Sequence, residues 1–211
     1  MKKIKIALFD IDKTIIDGDS MFDLLMYTIK KYPRALIRLP MLLVKLVLYK
    51  LKLIDTKRAK ESMFYTLNYL EDDDLKCFYE GILKNKIFND AIKEIKKLKE
   101  DGYHILLVSA SPECYLKFFE FEEYVDGVIG TKLRRNNNRY INIIEGINCK
   151  GEEKVVRIEK YLEERDLIID KNNSIAYSDS LSDIPMFNLV EKAYLINYKK
   201  KNLNYEILRW K

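Results

Sequence analysis

Asp10 and Asp12 stand two residues apart, directly after the short apolar run at residues 4–9, in a stretch that reads IKIALFDIDKT. Two carboxylates so close together repel each other and are costly to desolvate unless a cation neutralises them. A hard cation such as Mg2+, which takes oxygen ligands and few of them from protein, would do so. Taken alone, the pair would equally serve to cap a turn. Two further polar clusters follow apolar runs, Ser109-Ala110-Ser111-Pro112 and Asp179 to Asp183 in DSLSD, and the lysine-bearing CKGEEK, with Lys150 and Lys154, opens a helix after the third run. Hydroxyl donors, ammonium groups and paired carboxylates are the groups that phosphate chemistry uses to hold, neutralise and protonate a transferring group.

For these clusters to meet, the runs before them must be neighbouring strands. Residues 4–9, 103–108, 125–129, 174–178 and 193–196 are short and mostly apolar, as strands buried on both faces of a parallel sheet are. Helical patterns separate them. Residues 90–100 place Ala91, Ile92, Ile95 and Leu98 on one face, and GEEKVVRIEKYLEE reads as a helix entered through Gly151. Strands alternating with helices imply right-handed crossovers and a parallel sheet, with ligands outside the carboxyl ends of its strands. Pro112 fits the first turn of a helix after the second run.

Residues 18–85 break that alternation, because nothing in them reads as a strand. DGDS at 17–20 supplies a turn and an N-cap for a helix over 21–31, closed by Pro33. Pro40 suits the first turn of a second helix running to about residue 53, and helical signals continue over 56–70 and 75–83. Residues 130–144 read as an antiparallel excursion with its tip at 134–139, and a basic, aromatic tail follows residue 196. The expected fold is α/β: a Rossmann-like doubly wound parallel sheet with an inserted all-helical cap subdomain, the core at 1–16 and 86–211 and the cap at 17–85.

The three cysteines, Cys77, Cys114 and Cys149, form no CxxC pair and have a single histidine, His104, to help them. A disulfide framework or zinc site is not expected, and a reducing cytoplasm is. The apolar run after MKK stops at Asp10, too soon for a signal peptide. The net charge of +5 is unevenly spread: residues 27–60 hold ten basic residues against Asp55 alone, so that window carries +9 and the remainder −4. No nucleic-acid partner is expected.

DIDKT, VSASP, CKGEEKV and YSDSLSDIPMF resemble the four ordered motifs of the haloacid-dehalogenase superfamily of phosphohydrolases. They are most similar to subfamily IB, the phosphoserine-phosphatase-like enzymes with a helical cap between motifs one and two. The resemblance spans essentially the whole chain. It implies Asp10 as a nucleophile forming an aspartyl-phosphate, Asp12 as acid and then base, and Ser109 as a donor to a phosphoryl oxygen. Lys154, or as an alternative Lys150, would neutralise the transferring group. Mg2+ would be held by Asp10, Asp179 and the Asp12 carbonyl, with Asp183 nearby. Asp19, Ser109 and Ala110 would contact substrate. Family members that act on carbon–halogen bonds lack an acid at the position of Asp12, so its presence favours phosphate.

The cap segment at 33–53 is basic and apolar, with Arg38, Lys45 and Lys52 recurring every seven residues, a spacing that keeps them on one side of a helix. Its longest uncharged run, residues 39–44, is far short of the ~20 residues of a membrane span, but such a segment suits a peripheral contact with a membrane interface. GDSMF…Y…P…LP also resembles the phosphatidylglycerophosphate phosphatases of the same superfamily. The expected activity is Mg2+-dependent hydrolysis of a phosphomonoester carried on a phospholipid headgroup, in the cytoplasm at the inner membrane surface. The alternative is a soluble small-molecule phosphatase of the phosphoserine type.

Overall fold

Lys5 interrupts the first apolar run. The computed structural model, which describes residues 1–121, 123–137, 139–201 and 204–211, divides it into β1 (Lys2–Ile4) and β2 (Ile6–Phe9). Asn138, in the expected tip at 134–139, and Asn202 and Leu203, in the tail, lie outside the described residues. A helical stretch follows, with α1 (Ser20–Lys31), α2 (Leu39–Lys50), α3 (Thr56–Met63) and α4 (Asp72–Phe78). Then come α5 (Asn89–Glu100), β3 (His104–Pro112), the short α6 (Glu113–Leu116) and β4 (Gly127–Thr131). The excursion is a hairpin of β5 (Leu133–Asn136) and β6 (Arg139–Ile144). After α7 (Glu152–Glu163) come β7 (Leu167–Ile169), β8 (Ile175–Ser178), α8 (Ile184–Phe187), β9 (Lys192–Ile196) and β10 (Glu206–Leu208).

Six strands form one parallel sheet in the order β10-β9-β8-β2-β3-β4. The chain moves from β2 outward to β4, then returns to β8 and moves outward the other way. The order therefore reverses beside β2, where open α/β sheets bind ligands. Both faces are covered, which is why β2 shows no alternation: Ala7 and Phe9 join one core with Ala91, Ile95 and Leu98 of α5. Ile6 and Leu8 join the other with Ile158 and Leu162 of α7 and Met186 and Phe187 of α8. Two strands were not anticipated. β7 pairs with β1 beside the main sheet, and the tail supplies β10. Each is three residues long, too short for a period to be read. Pro112 ends β3 and caps α6 instead of lying in its first turn.

The helical stretch contains no strand among its described residues, only single-residue bridges at its entrance and exit. Its helices are more broken than the periodicity predicts. A 3-10 segment, Pro33–Arg38, joins α1 to α2; another, Phe64–Tyr69, follows α3; and α4 runs into a π-helical turn, Tyr79–Leu83. Helix α2 ends at Lys50, and Lys52 follows in a left-handed turn with φ 59°. Arg38 precedes the helix as its N-cap residue and Lys45 is half-buried. The three cations spaced by seven do not share one helical face. No helix among the described residues is long and apolar enough to cross a membrane.

The hairpin reaches over to the helical stretch. Asn68 donates to Asn142 Oδ1 at 2.9 Å, Asn142 donates to the Glu61 carbonyl at 2.8 Å, and the Ile144 amide donates to Glu61 Oε1 at 3.0 Å. Arg135 pairs with Asp72, and Arg139 with Glu71.

Candidate active site

At its carboxyl end β2 opens into a tight loop. The Asp10 amide still donates to the Tyr177 carbonyl of β8, at 2.9 Å, so the carboxylate is fixed to the sheet edge. Lys13 takes a left-handed φ of 59°, an uncommon conformation for a residue with a side chain. The loop turns back so that the Thr14 hydroxyl donates to Asp10 Oδ2 at 3.0 Å. The same hydroxyl accepts from the Asp179 amide at 2.9 Å, tying this loop to the one after β8.

Helix α7 delivers the cation. Gly151, its N-cap, has φ 60°, a region open to glycine at little cost, and one turn later Lys154 is buried, 1% exposed. Its ammonium donates to Asp10 Oδ1 at 2.7 Å and to Asp183 Oδ2 at 2.8 Å. The Ser178 hydroxyl donates to the same Asp183 oxygen at 2.7 Å. Burial would drive Lys154 towards its neutral form, but Asp10 and Asp183 outweigh it and hold the ammonium above its usual pKa. Burial pushes Asp10 up to about 7, with Lys154 pulling the other way and Asp183 and Asp12 adding to the rise. Burial also raises Asp179, to about 6, against the pull of Lys13. Lys150, the alternative lysine, is exposed at the entrance to α7.

Asp12 faces the helical stretch. Its carboxylate accepts from the Ser20 amide at 2.6 Å, from the Ser111 hydroxyl at 2.6 Å and from the Ser109 hydroxyl at 3.3 Å. Ser20 begins α1, and its hydroxyl also bonds to Ser111 and Tyr115. The second carboxylate is therefore where the helical stretch meets the sheet. Asp19 caps α1, accepting from the amides of Met21 and Phe22, and the Ala110 carbonyl accepts from Thr131. The sheet brings Asp10, Lys154, Asp183 and Asp179 together at one edge, with Asp12, Ser109 and Ser111 beside them.

Several participants were missed in the sequence. Thr14 lies inside the quoted DIDKT, but its hydroxyl became informative only once the loop was seen to fold back. Ser111 reads from sequence as a possible helix cap. Ser20 is read in sequence only as part of the DGDS turn and cap, and Tyr115 carries no local signal. Nor does Lys60 of α3, whose ammonium burial and Lys150 push below its usual pKa, with Asp19 and Asp12 as its acidic neighbours.

As a donor set the edge is all oxygen. Among the described residues, no three His, Cys, Asp or Glu side chains gather to hold a metal by themselves. Of the aspartates expected around a metal, Asp12 uses its carboxylate to accept from the serines, and Asp183 accepts from Lys154 and Ser178.

In sequence, the chain is 28% identical over 127 residues to Protein CicA of Caulobacter vibrioides, an alignment covering 59% of this chain and 55% of that protein. The chain spans about half the length of the curated relatives it matches. In structure, it is similar to a protein of unknown function from Bordetella pertussis Tohama I, with a TM-score of 0.77 and 22% identity, over 94% of this chain and 92% of that one. It is also similar to a phospho-aspartyl intermediate analogue of phosphoserine phosphatase, with a TM-score of 0.67 and 18% identity over 94% and 88% of the two chains. At these identities the likeness is one of fold. The family model for haloacid dehalogenase-like hydrolases matches residues 7–188, a span containing the whole cluster from Asp10 to Asp183, and the chain belongs to that family.

Proposed function

We propose that this hydrolase is a phosphatase that cleaves phosphomonoesters through an aspartyl-phosphate. The observation that carries the reading is the buried ammonium of Lys154 bridging Asp10 and Asp183 beside a second carboxylate, Asp12. Asp10 would attack phosphorus, its new O–P bond forming as the bond to the leaving oxygen breaks, while Asp12 gives that oxygen a proton. Water would then attack the phosphorus of the aspartyl-phosphate, giving its proton to Asp12 and releasing phosphate and the free carboxylate. This divides one difficult displacement into two easier ones. Lys154 would offset charge on the transferring group. Ser109 would turn from Asp12 to a phosphoryl oxygen.

The donors fit Mg2+. The Asp10 and Asp179 carboxylates and the Asp12 carbonyl are hard oxygen ligands, and the absence of a closed protein cage suits an ion that keeps several waters and binds through substrate phosphate. Bound there, Mg2+ would supply charge neutralisation that lets phosphate approach two carboxylates. The raised Asp10 and Asp179 support this, since both sit where a second positive charge would relieve the cost of ionisation.

The substrate would be a phosphorylated small molecule, handled in the cytoplasm, a compartment supported by the three free cysteines. Against phosphoserine, the acid available near the cap entrance is the short Asp19, already engaged in capping α1. A phospholipid headgroup phosphate is a second reading, favoured by the apolar surface of α2. The test is phosphate release from p-nitrophenyl phosphate with and without Mg2+, together with hydroxylamine-sensitive labelling of the protein. Release without any covalent label, or label persisting in Asp10→Asn, would overturn the mechanism.

A further inference from the structure

A helix that is apolar all round is ordinarily buried, yet α2 lies at the surface. Its inner side is accounted for: Leu42 packs with Ala35 and Tyr65, and Leu39 and Leu46 lie against them. Its outer side is equally apolar. Pro40, Leu43, Val44 and Val47 fall at the i, i+3, i+4, i+7 spacing of a single stripe; Leu43, Val44 and Val47 are each more than half exposed. The surface continues past both ends through Ile37, 81% exposed, and Leu51 and Leu53, 63% and 67% exposed. On the adjoining α1, Phe22 and Met26 are exposed one turn apart. Exposed apolar residues gathered in this way on one helix and at its ends mark a site of contact.

The charges at its ends indicate what it contacts. Arg38 lies at one end and Lys50 and Lys52 at the other; all three are exposed, and none makes an ion pair among the described residues. The one acid of this segment, Asp55, caps α3 and pairs with Arg58. A second copy of the chain on a two-fold axis would set this cationic rim against itself, which like charges oppose. Most of the exposed apolar residues are aliphatic, and the aromatic ones, Tyr49 on α2 and Phe22 on α1, suit a membrane interface as well as they suit a protein contact. A bilayer with anionic headgroups meets both halves of the pattern, apolar side chains entering the acyl boundary and cations meeting lipid phosphates.

We infer that the outer face of α2, with the turns at its two ends, docks the protein on an anionic lipid bilayer. The inference deepens the phospholipid reading of the substrate and rests on it for its purpose. The docking itself is measured without substrate, so each can fail separately.

The test is co-sedimentation of the full chain with vesicles of phosphatidylcholine, with and without phosphatidylglycerol. The wild type should pellet with the anionic vesicles, less so as NaCl rises, and remain in solution with phosphatidylcholine alone. Leu43→Asp/Val47→Asp should abolish binding. Arg38→Gln/Lys50→Gln/Lys52→Gln should weaken it at low salt by about fivefold per cation removed. Both variants should keep the wild-type melting temperature and turnover of p-nitrophenyl phosphate. If the aspartates unfold the protein, the glutamine variant decides alone. A wild type that ignores anionic vesicles, variants that bind as well as wild type, or a lipid-free dimer dissolved by Leu43→Asp/Val47→Asp would overturn the inference. The last result would assign the face to a second copy.

Discussion

Lys154 and Val44 each sit against the usual partition of side chains between interior and solvent. One is a cation 1% exposed and the other an aliphatic 54% exposed. Charged groups are almost never fully buried unless paired, and Lys154 meets that condition inside the chain, through Asp10 and Asp183. The outer face of α2 finds no partner among the described residues. The two regions thus teach different things: the strand-end cluster is a polar arrangement the fold completes for itself, whereas the helix face is apolar surface that the described residues leave exposed.

The strongest way to break this comparison is at Asp10. Asp10→Asn keeps the shape but removes the attacking oxygen, and kcat should fall by more than about a thousandfold, the scale of losing a nucleophile. Steady-state turnover of a soluble phosphomonoester checks it, and retained activity would move the chemistry elsewhere. Next, Lys154→Met leaves two buried carboxylates facing each other, which should cost roughly 3–5 kcal/mol of stability as well as activity. Lys150→Met, at an exposed position, should stay within about 0.5 kcal/mol. Urea unfolding of both variants tells whether the two lysines differ as their burial does.

The helix face offers a matched pair within one turn. Leu42→Ala, on the inner side, should cost about 2–5 kcal/mol, and Leu43→Ala, its exposed neighbour, no more than about 0.5 kcal/mol. Equal losses in thermal unfolding would mean that the outer face is covered in the isolated protein. An effect in the lower part of the Leu42 range is expected from the metal. Mg2+ at a hundred times its Kd should stabilise the wild type by about 2.7 kcal/mol, and Asp179→Ala should remove the shift. A rise in melting temperature that survives Asp179→Ala would place the ion elsewhere.

How far the sequence could be read follows from what signals each feature. The parallel sheet was legible because strands buried on both faces, such as β2 and β8, are uninterrupted apolar runs ending in polar clusters. The order of those clusters along the chain also indicated which residues share an edge, and Asp10, Lys154, Asp179 and Asp183 do meet there. The contacts of Asp12 were not legible, since the Ser20 amide and the Ser111 hydroxyl reach it from separate elements. The resemblance favours Lys154 over Lys150, but the burial that separates the two is not revealed by their spacing. The seven-residue recurrence of Arg38, Lys45 and Lys52 misled for a related reason: it presumes one helix, and the 3-10 segment before α2 and the turn after Lys50 break it.

The hairpin of β5 and β6 changes what kind of motion the molecule can make. With only two chain crossings near Asp17 and Lys86, whose backbones are bonded at 2.8 Å, the helices would swing over the sheet like a door on one hinge. Asn142 and the two hairpin arginines fasten that door to a second post. Opening must either break those bonds or carry the hairpin along, and the hairpin is rooted at Thr131, whose hydroxyl holds the Ala110 carbonyl, Asn148 and the Cys149 amide. Cys149 leads into α7. The hairpin that holds the helices and the segment that seats Lys154 therefore share one hydrogen-bonded root at Thr131.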